Sequence, residues 1–400
     1  MSEEGTRKAG SAGEVFLAFS KLGLTSFGGP IAHLGYFRDE FVTRRGWFDD
    51  RTYGDLVALC QFLPGPASSQ VGFAIGLMRA GALGAAAAWV GFTLPSAILM
   101  LAFALGAAAF EGEIAQGVLH GLKLVAVAVV AQAVLGMARS LTPDRQRAGI
   151  AVLAVAAMVL LGGVAGQVGA IVLGVVLGLV LCRDGTGGEV DLGPVPVSRR
   201  FAAAALVAFV ALLVVLPLLA PLGQGLALFD VFYRAGALVF GGGHVVLPLL
   251  EAGTVGQGWL SEDSFLAGYG AAQAVPGPLF TFAAYLGAAG IEQPNGVPGA
   301  AIALVAIFLP GFLILLAALP FWHGLRANPM AQAGMRGANA AVVGILALAL
   351  YDPVFTSAVR TPLDFAVALA GFVALVSWKV QPIYVVLALA AAGGAMGVLG

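Results

Sequence analysis

Apolar positions run on without alternation for the length of a helix along most of the chain, and polar residues gather in short stretches between these runs. Residues 82 to 110 and 150 to 182 hold almost no charge. A hydrocarbon core of about 30 Å is crossed by about 20 helical residues, so such runs predict transmembrane helices. Segmenting by hydrophobicity gives six elements in the first half: residues 14 to 37, 52 to 78, 82 to 110, 114 to 138, 148 to 164 and 167 to 182. Six more follow, at residues 226 to 250, 263 to 290, 297 to 323, 330 to 350, 362 to 378 and 381 to 399. Between the halves lie a polar Gly/Pro linker, residues 183 to 200, and one additional apolar span, residues 201 to 220.

The halves carry the same ordered blocks. Phe19-Ser20-Lys21-Leu22-Gly23 followed by Phe27-Gly28-Gly29-Pro30 matches Phe232-Tyr233-Arg234-Ala235-Gly236 followed by Phe240-Gly241-Gly242-Gly243. Trp47 matches Trp259, and Gln61-Phe62-Leu63-Pro64-Gly65-Pro66 matches Gln273-Ala274-Val275-Pro276-Gly277-Pro278. Gly84 precedes Pro95 by the same interval as Gly299 precedes Pro310. The chain therefore reads as a repeat over residues 1–183, a linker with an extra helix over 184–225, and a second repeat over 226–400.

Basic residues in short loops stay cytoplasmic. Arg38, Arg44, Arg45, Arg51, Arg79, Arg139, Arg145, Arg147 and Arg183 are all cytoplasmic if residues 110 to 115 and 163 to 168 are outside, and those two loops have no basic residue. The loop matching the four-arginine loop, residues 251 to 263, has no lysine or arginine and carries Glu251, Glu262 and Asp263. The sign has reversed, which predicts two inverted-topology repeats with the N-terminus cytoplasmic and the C-terminus on the outer face. Only Arg360 falls on the wrong side. The first two elements of each half begin and end on one face, so they read as re-entrant or tightly folded hairpins, joined by about four spanning helices per repeat. Their Gly-Gly-Pro and Pro-Gly-Pro breaks leave arms of about 12 residues, which at about 1.5 Å per residue reach the midplane. Broken helices from inverted repeats that meet at the midplane are a common substrate site of secondary transporters.

Composition supports lipid as the solvent: 60% of residues are hydrophobic and 10% charged, and the mean hydropathy is +0.96. The 57 glycines and 20 prolines fit close helix packing and helix breaks. Gly174-x-x-x-Gly178 is one expected packing face. A net charge of −1 gives no footprint for nucleic acid, and no signal peptide is expected. Cys60 and Cys182 read as packing residues, with no metal-ligand spacing to the histidines. Neither a Walker A sequence, nor HExxH, nor GxSxG occurs, so the chain reads as a secondary transporter with no cofactor and no catalytic or metal site.

The breaks suggest an anion. Pro66 and Pro278 each suit the first position of a half-helix whose free N–H groups point at the break. The Gly28-Gly29 and Gly241-Gly242 turns can present successive N–H groups as a nest, with hydroxyls at Thr25, Ser26, Ser68, Ser69 and Thr281 and the amides of Gln61 and Gln273 nearby. Pro64, Gly65, Pro276 and Gly277 shape the second pair of turns. Lys21 and Arg234 occupy equivalent positions in apolar segments, where an uncompensated cation costs at least ~2.5 kcal/mol. An anionic substrate would offset this; the other reading is that both snorkel to the headgroups. His33 and His244 read as structural groups or as acid–base groups. Lys123, far from either interface, lines the same cavity or pairs with Glu111 or Glu113, and Asp230 reads as lying near an interface.

Phe27-Gly28-Gly29-Pro30 with His33, the Gly46-Trp47 loop end, Gln61-x-x-Pro64-Gly65-Pro66 and their second-half echoes resemble the chromate ion transporter family in its long two-domain form. The resemblance covers nearly the whole chain. It implies a bacterial inner-membrane protein with antiparallel homologous halves that exports chromate and confers resistance. Gly243 in place of Pro30 departs from the motif and makes the two turns inequivalent. Sulfate is the rival oxyanion, a homodimer is compatible with the reading, and membrane lipid is the surrounding partner. An alternative of another class is an intramembrane enzyme acting on lipid phosphate groups through His33 or His244.

Overall fold

Glycine and proline cut the chain where the repeat places them, as a computed structural model describing residues 10–107, 112–183, 196–240 and 243–399 shows. Every regular element among these residues is a helix. Gly241, Gly242 and Glu111 lie outside the described residues. Helix α1 (Ala12–Thr25) starts on Ser11, which accepts the Glu14 N–H. It stops where Gly28 and Gly29 take φ of +103° and +80°, open to glycine but strained for other residues. α2 (Gly29–Arg38) returns the chain, so the first predicted hairpin forms. α3 (Asp50–Phe62), capped by Asp49, is followed by the break at Leu63–Pro66 and by α4 (Ala67–Ala107). α4 bends at Ala80 and Gly81, so its first arm closes the second hairpin and its second arm is the span expected at 82 to 110.

α5 (Glu113–Leu141), α6 (Arg145–Leu161), α7 (Gly163–Leu181) and the extra helix α8 (Arg199–Leu219) complete the first part. The second repeat follows the same plan. Its hairpins are α9 (Gln224–Ala237) with α10 (Val246–Thr254), and α11 (Glu262–Ala272) with α12 (Phe282–Ala289). Then come α13 (Gly296–Ala318), the short α14 (Trp322–Ala327), α15 (Pro329–Ala349), the single turn α16 (Thr356–Ala358), α17 (Pro362–Val376) and α18 (Pro382–Leu399). Among the described residues five helical stretches are long and apolar enough to cross a membrane: Ala67–Gly106, Glu113–Leu141, Arg199–Leu222, Gly296–Leu325 and Pro329–Ala358. The protein is a multi-pass membrane protein.

Small residues let the halves interlock. A Cβ on Gly178 would lie 2.7 Å from Gly337 Cα, and one on Gly174 would lie 2.6 Å from Gly337 O and from Ala341 Cβ. The Gly174/Gly178 face is thus the α7–α15 contact, and the two helices run antiparallel. Its image is the contact between α5 and α18, where Gly117 meets Gly393 and Gly121 meets Leu389. Each repeat's fourth element therefore packs on the sixth element of the other repeat. Without a hydrophobic drive between helices in lipid, such close backbone approach supplies the dispersion contacts that hold them.

Candidate functional site

The four breaks meet at the centre. Gly65, with φ +119°, donates its N–H to Val239 O at 2.7 Å, and Gly277, with φ +99°, donates to Ser26 O at 2.9 Å. Gly65 and Gly277 are equivalent in the repeat, and so are Val239 and Ser26. Each hydrogen bond is the image of the other, and each joins the second break of one repeat to the first break of the other. A Cβ on Gly243 would lie 3.7 Å from Pro30 Cγ. Those two positions are also equivalent, and equivalent positions touch only beside a symmetry axis.

Around this pair the backbone is tight. A Cβ on Gly65 would come 3.0 Å from Gly311 Cα, and one on Gly277 would come 2.9 Å from Ser96 Oγ and 3.1 Å from Phe92 O. Ser96 and Gly311 each follow the equivalent prolines Pro95 and Pro310 inside α4 and α13. Pro66 and Pro278 sit one residue earlier than expected. Gln70 N–H bonds to Pro66 O at 2.9 Å, and Pro278 precedes a 3-10 turn over Leu279–Thr281, so both prolines are caps and not first helical residues.

The backbone is nearly symmetric and the chemistry is not. In the first repeat, Ser26 Oγ, Ser69 Oγ, Gln70 Oε1 and Thr93 Oγ1 are buried without a hydrogen-bond partner. Buried His33 approaches Ser68 Oγ at 3.4 Å, and Gln70 Nε2 donates to Pro64 O at 2.9 Å and Gly311 O at 2.8 Å. The second-repeat equivalents of Ser26, Ser68, Gln70 and Thr93 are Val239, Phe280, Phe282 and Phe308. Thr281, the equivalent of Ser69, spends its hydroxyl on Pro278 O at 2.9 Å. His244 Nδ1 lies 2.6 Å from the Tyr269 hydroxyl, and Gln273 Nε2 is buried without a partner. A buried unpaired polar group costs about 1–3 kcal/mol, so the first-repeat cluster is the polar heart of the breaks.

Several expected residues stand elsewhere. Lys21 is half-exposed and its ammonium lies 3.4 Å from Glu40, which also takes Arg44 and, at 2.8 Å, Arg45. Lys21 thus reaches back along the hairpin to pair with Glu40, a partner that neither the anion reading nor the snorkelling reading named. Glu40 lies in the π-helical turn Asp39–Arg44, outside the long apolar spans. Burial works against its charge, yet Arg45 and Lys21 prevail and hold its carboxyl below the usual range. Arg234 pairs with Asp230 one turn earlier, and Asp230 is buried within the protein. Gln61 is exposed, and Gln70 supplies the buried amide in its place. Lys123 is paired with Asp263 of the second repeat at 2.8 Å, in a cavity apart from the breaks, and not with Glu113. Cys60 and Cys182 are buried and free. Thr93, Ser96 and Gln70 had a sequence signal: the first two flank Pro95 in the third repeat block, and Gln70 lies one turn past Pro66.

The sequence pattern of the family described as "Chromate transporter" matches residues 13–182 and again 226–395. The chain is 30% identical to the chromate transport protein of Pseudomonas aeruginosa, over 94% of this chain and 90% of that one. It is 29% identical to a probable chromate transport protein of Synechococcus elongatus, covering 92% of each. An uncharacterised transporter of Bacillus subtilis is 29% identical over 42% of this chain but 94% of its own length, so one repeat stands there as a whole protein. No solved structure matches. With both repeats matched and their breaks joined reciprocally, the chain is a member of the chromate transporter family.

Proposed function

We propose that the protein moves chromate, a tetrahedral dianion, out of a bacterial cell across the inner membrane, and that the four breaks form its path. The observation that carries this reading is the cluster of unpartnered first-repeat hydroxyls of Ser26, Ser69 and Thr93 beside two symmetry-related backbone turns. Hydroxyl and N–H donors fixed by glycine turns suit an oxyanion without placing a lysine at the site. The binding groups are Ser26, Ser68, Ser69 and Thr93 with the turns at Gly28-Gly29, Pro64-Gly65-Pro66 and Pro276-Gly277-Pro278, and Gln70, whose amide N–H groups are spent on Pro64 O and Gly311 O, braces the turns. His244, Gln273 and Thr281 form the opposing wall.

The two repeats lie in opposite orientations, with the N-terminus cytoplasmic and the C-terminus outside. The antiparallel α7–α15 contact supports this. α5, α6 and α7 alternate in direction through short connections, so an α15 opposed to α7 is also opposed to its own equivalent, α5. Moving one charge through 100 mV is worth about 2.3 kcal/mol, so a dianion leaving an inside-negative cell gains about 4.6 kcal/mol and needs no further energy source. Purified protein in liposomes, with a potential imposed and chromate, sulfate, molybdate and phosphate offered separately, should move chromate down the potential. Flux of sulfate alone would reassign the substrate, and flux of none would remove the transport reading.

A further inference from the structure

Among the described residues Lys123 is the one buried lysine, and the break site does not use it. It lines a cavity of about 1100 Å³. Glu113, Gln116, His120 and Lys123 follow one face of α5 into that cavity, and Lys123 lies ten residues from the start of the helix. At about 1.5 Å per residue this is about 15 Å, half the depth of a hydrocarbon core. The opposite wall is the first turns of α11, which leads on to the break at Gln273.

The ion pairing inside the cavity is lopsided. Lys123 Nζ lies 2.8 Å from Asp263 Oδ1, and Arg360 reaches the same oxygen at 3.6 Å. The lysine side chain is 6% exposed and fixed by its helix, whereas the aspartate side chain is 59% exposed. Asp364 also faces the cavity, but its carboxylate is filled: one oxygen meets His120 Nε2 at 2.7 Å, and the other accepts the N–H groups of Arg360 and Thr361. Among the described lining residues Glu113, at the start of α5, is the remaining carboxylate, and Glu262 beside Asp263 adds a further acidic group near Lys123 and Arg360. Arg360 is also the one arginine that breaks the charge asymmetry of the loops, and it is found here.

We propose that this cavity is a vestibular oxyanion site, in which Lys123 and Arg360 receive a tetrahedral dianion and Asp263 is the internal counter-ion that leaves for water when the dianion arrives. The buried ammonium cannot be left unpaired cheaply, and the exposed carboxylate loses little by moving out. A dianion gains about twice the Coulomb energy of a carboxylate against the same two cations. The ligand class rests on the oxyanion reading above.

The test uses the full-length protein in detergent, titrated calorimetrically with sodium sulfate in gluconate buffer and with chloride as the monoanion control. Asp263→Asn, which removes the internal competitor, should tighten sulfate binding about tenfold over wild type. It should also lower the melting temperature without sulfate and regain it when sulfate is added. Lys123→Gln should lose this tighter binding when combined with Asp263→Asn, and Lys123→Arg should keep part of it, which separates loss of the site from loss of folding. Weaker sulfate binding in Asp263→Asn than in wild type overturns the proposal. If these substitutions leave sulfate affinity unchanged while wild-type liposomes carry oxyanion, the vestibule is wrong and the transport reading stands. If liposome flux is absent but Asp263→Asn still binds sulfate more tightly, the transport reading fails and the vestibule stands.

Discussion

Thr93 has a hydroxyl that is buried without a partner one turn from Ser96, whose own hydroxyl bonds back to Thr93 O at 3.0 Å. If these groups served only the fold, replacing the orphan with a methyl would be harmless or better, because an unpaired buried hydroxyl costs about 1–3 kcal/mol. Thr93→Val therefore separates stability from function. It should raise the thermal stability of the purified protein by about 1 kcal/mol, and lower chromate flux per reconstituted molecule by about tenfold or more, the equivalent of one lost charge-assisted bond of about 1.5–3 kcal/mol. The second-repeat counterpart Phe308 already has no polar group, so the asymmetry lies in the side chains. A Thr93→Val protein with wild-type flux per molecule would leave the polar cluster without a transport role.

At the scale of elements, the breaks are held by bonds that only glycine can make at this spacing. Gly277→Ala meets two penalties together: a left-handed φ, which costs an L-residue about 1–2 kcal/mol, and a Cβ 2.9 Å from Ser96 Oγ, where overpacking costs about 1–3 kcal/mol. Gly258 also has positive φ, but a Cβ there meets nothing within 4 Å, so Gly258→Ala should cost only the first of these. Thermal denaturation should rank Gly277→Ala and Gly65→Ala well below Gly258→Ala, and equal losses at all three would mean that the breaks do not close against α4 and α13. The helix ends themselves were legible in the sequence, because positive φ and proline caps are local requirements that Gly28, Gly29, Gly65 and Gly277 state directly. Which side chains fill the breaks was less legible. Lys21 and Gln61 are near the breaks along the chain, but the direction in which each leaves its helix depends on packing that no single segment specifies. Glu40, which draws Lys21 away, lies a full hairpin later. Likewise Lys123 looked paired within its own repeat, and only the interlocking of α5 with the second repeat brings Asp263 to it.

At the scale of the whole molecule, the reciprocal bonds Gly65–Val239 and Gly277–Ser26 join the two repeats at their breaks, and the relative orientation of the repeats decides which breaks open to which face. The single-repeat length of the Bacillus subtilis relative fits this geometry, since breaks joined in this way need two copies of the repeat whether or not they share a chain. If the repeats are inverted, the loop at residues 38 to 51 and the loop at residues 251 to 263 lie on opposite sides of the membrane. The loops offer exposed probes: Asp50, at the start of α3, and Gln257, in the turn after α10. Cys60 and Cys182 are buried, so background labelling is low. In intact cells a membrane-impermeant thiol reagent should modify Gln257→Cys and leave Asp50→Cys unmodified, and inside-out vesicles should reverse the pattern. The charge pattern supplies the sign, because Arg38, Arg44, Arg45 and Arg51 surround the first probe while the charged residues of the second loop are all acidic. Labelling of both positions from one face would require α5 and α15 to run in the same direction. The antiparallel contact of α7 with α15 could then survive only if α6 failed to reverse the chain between α5 and α7.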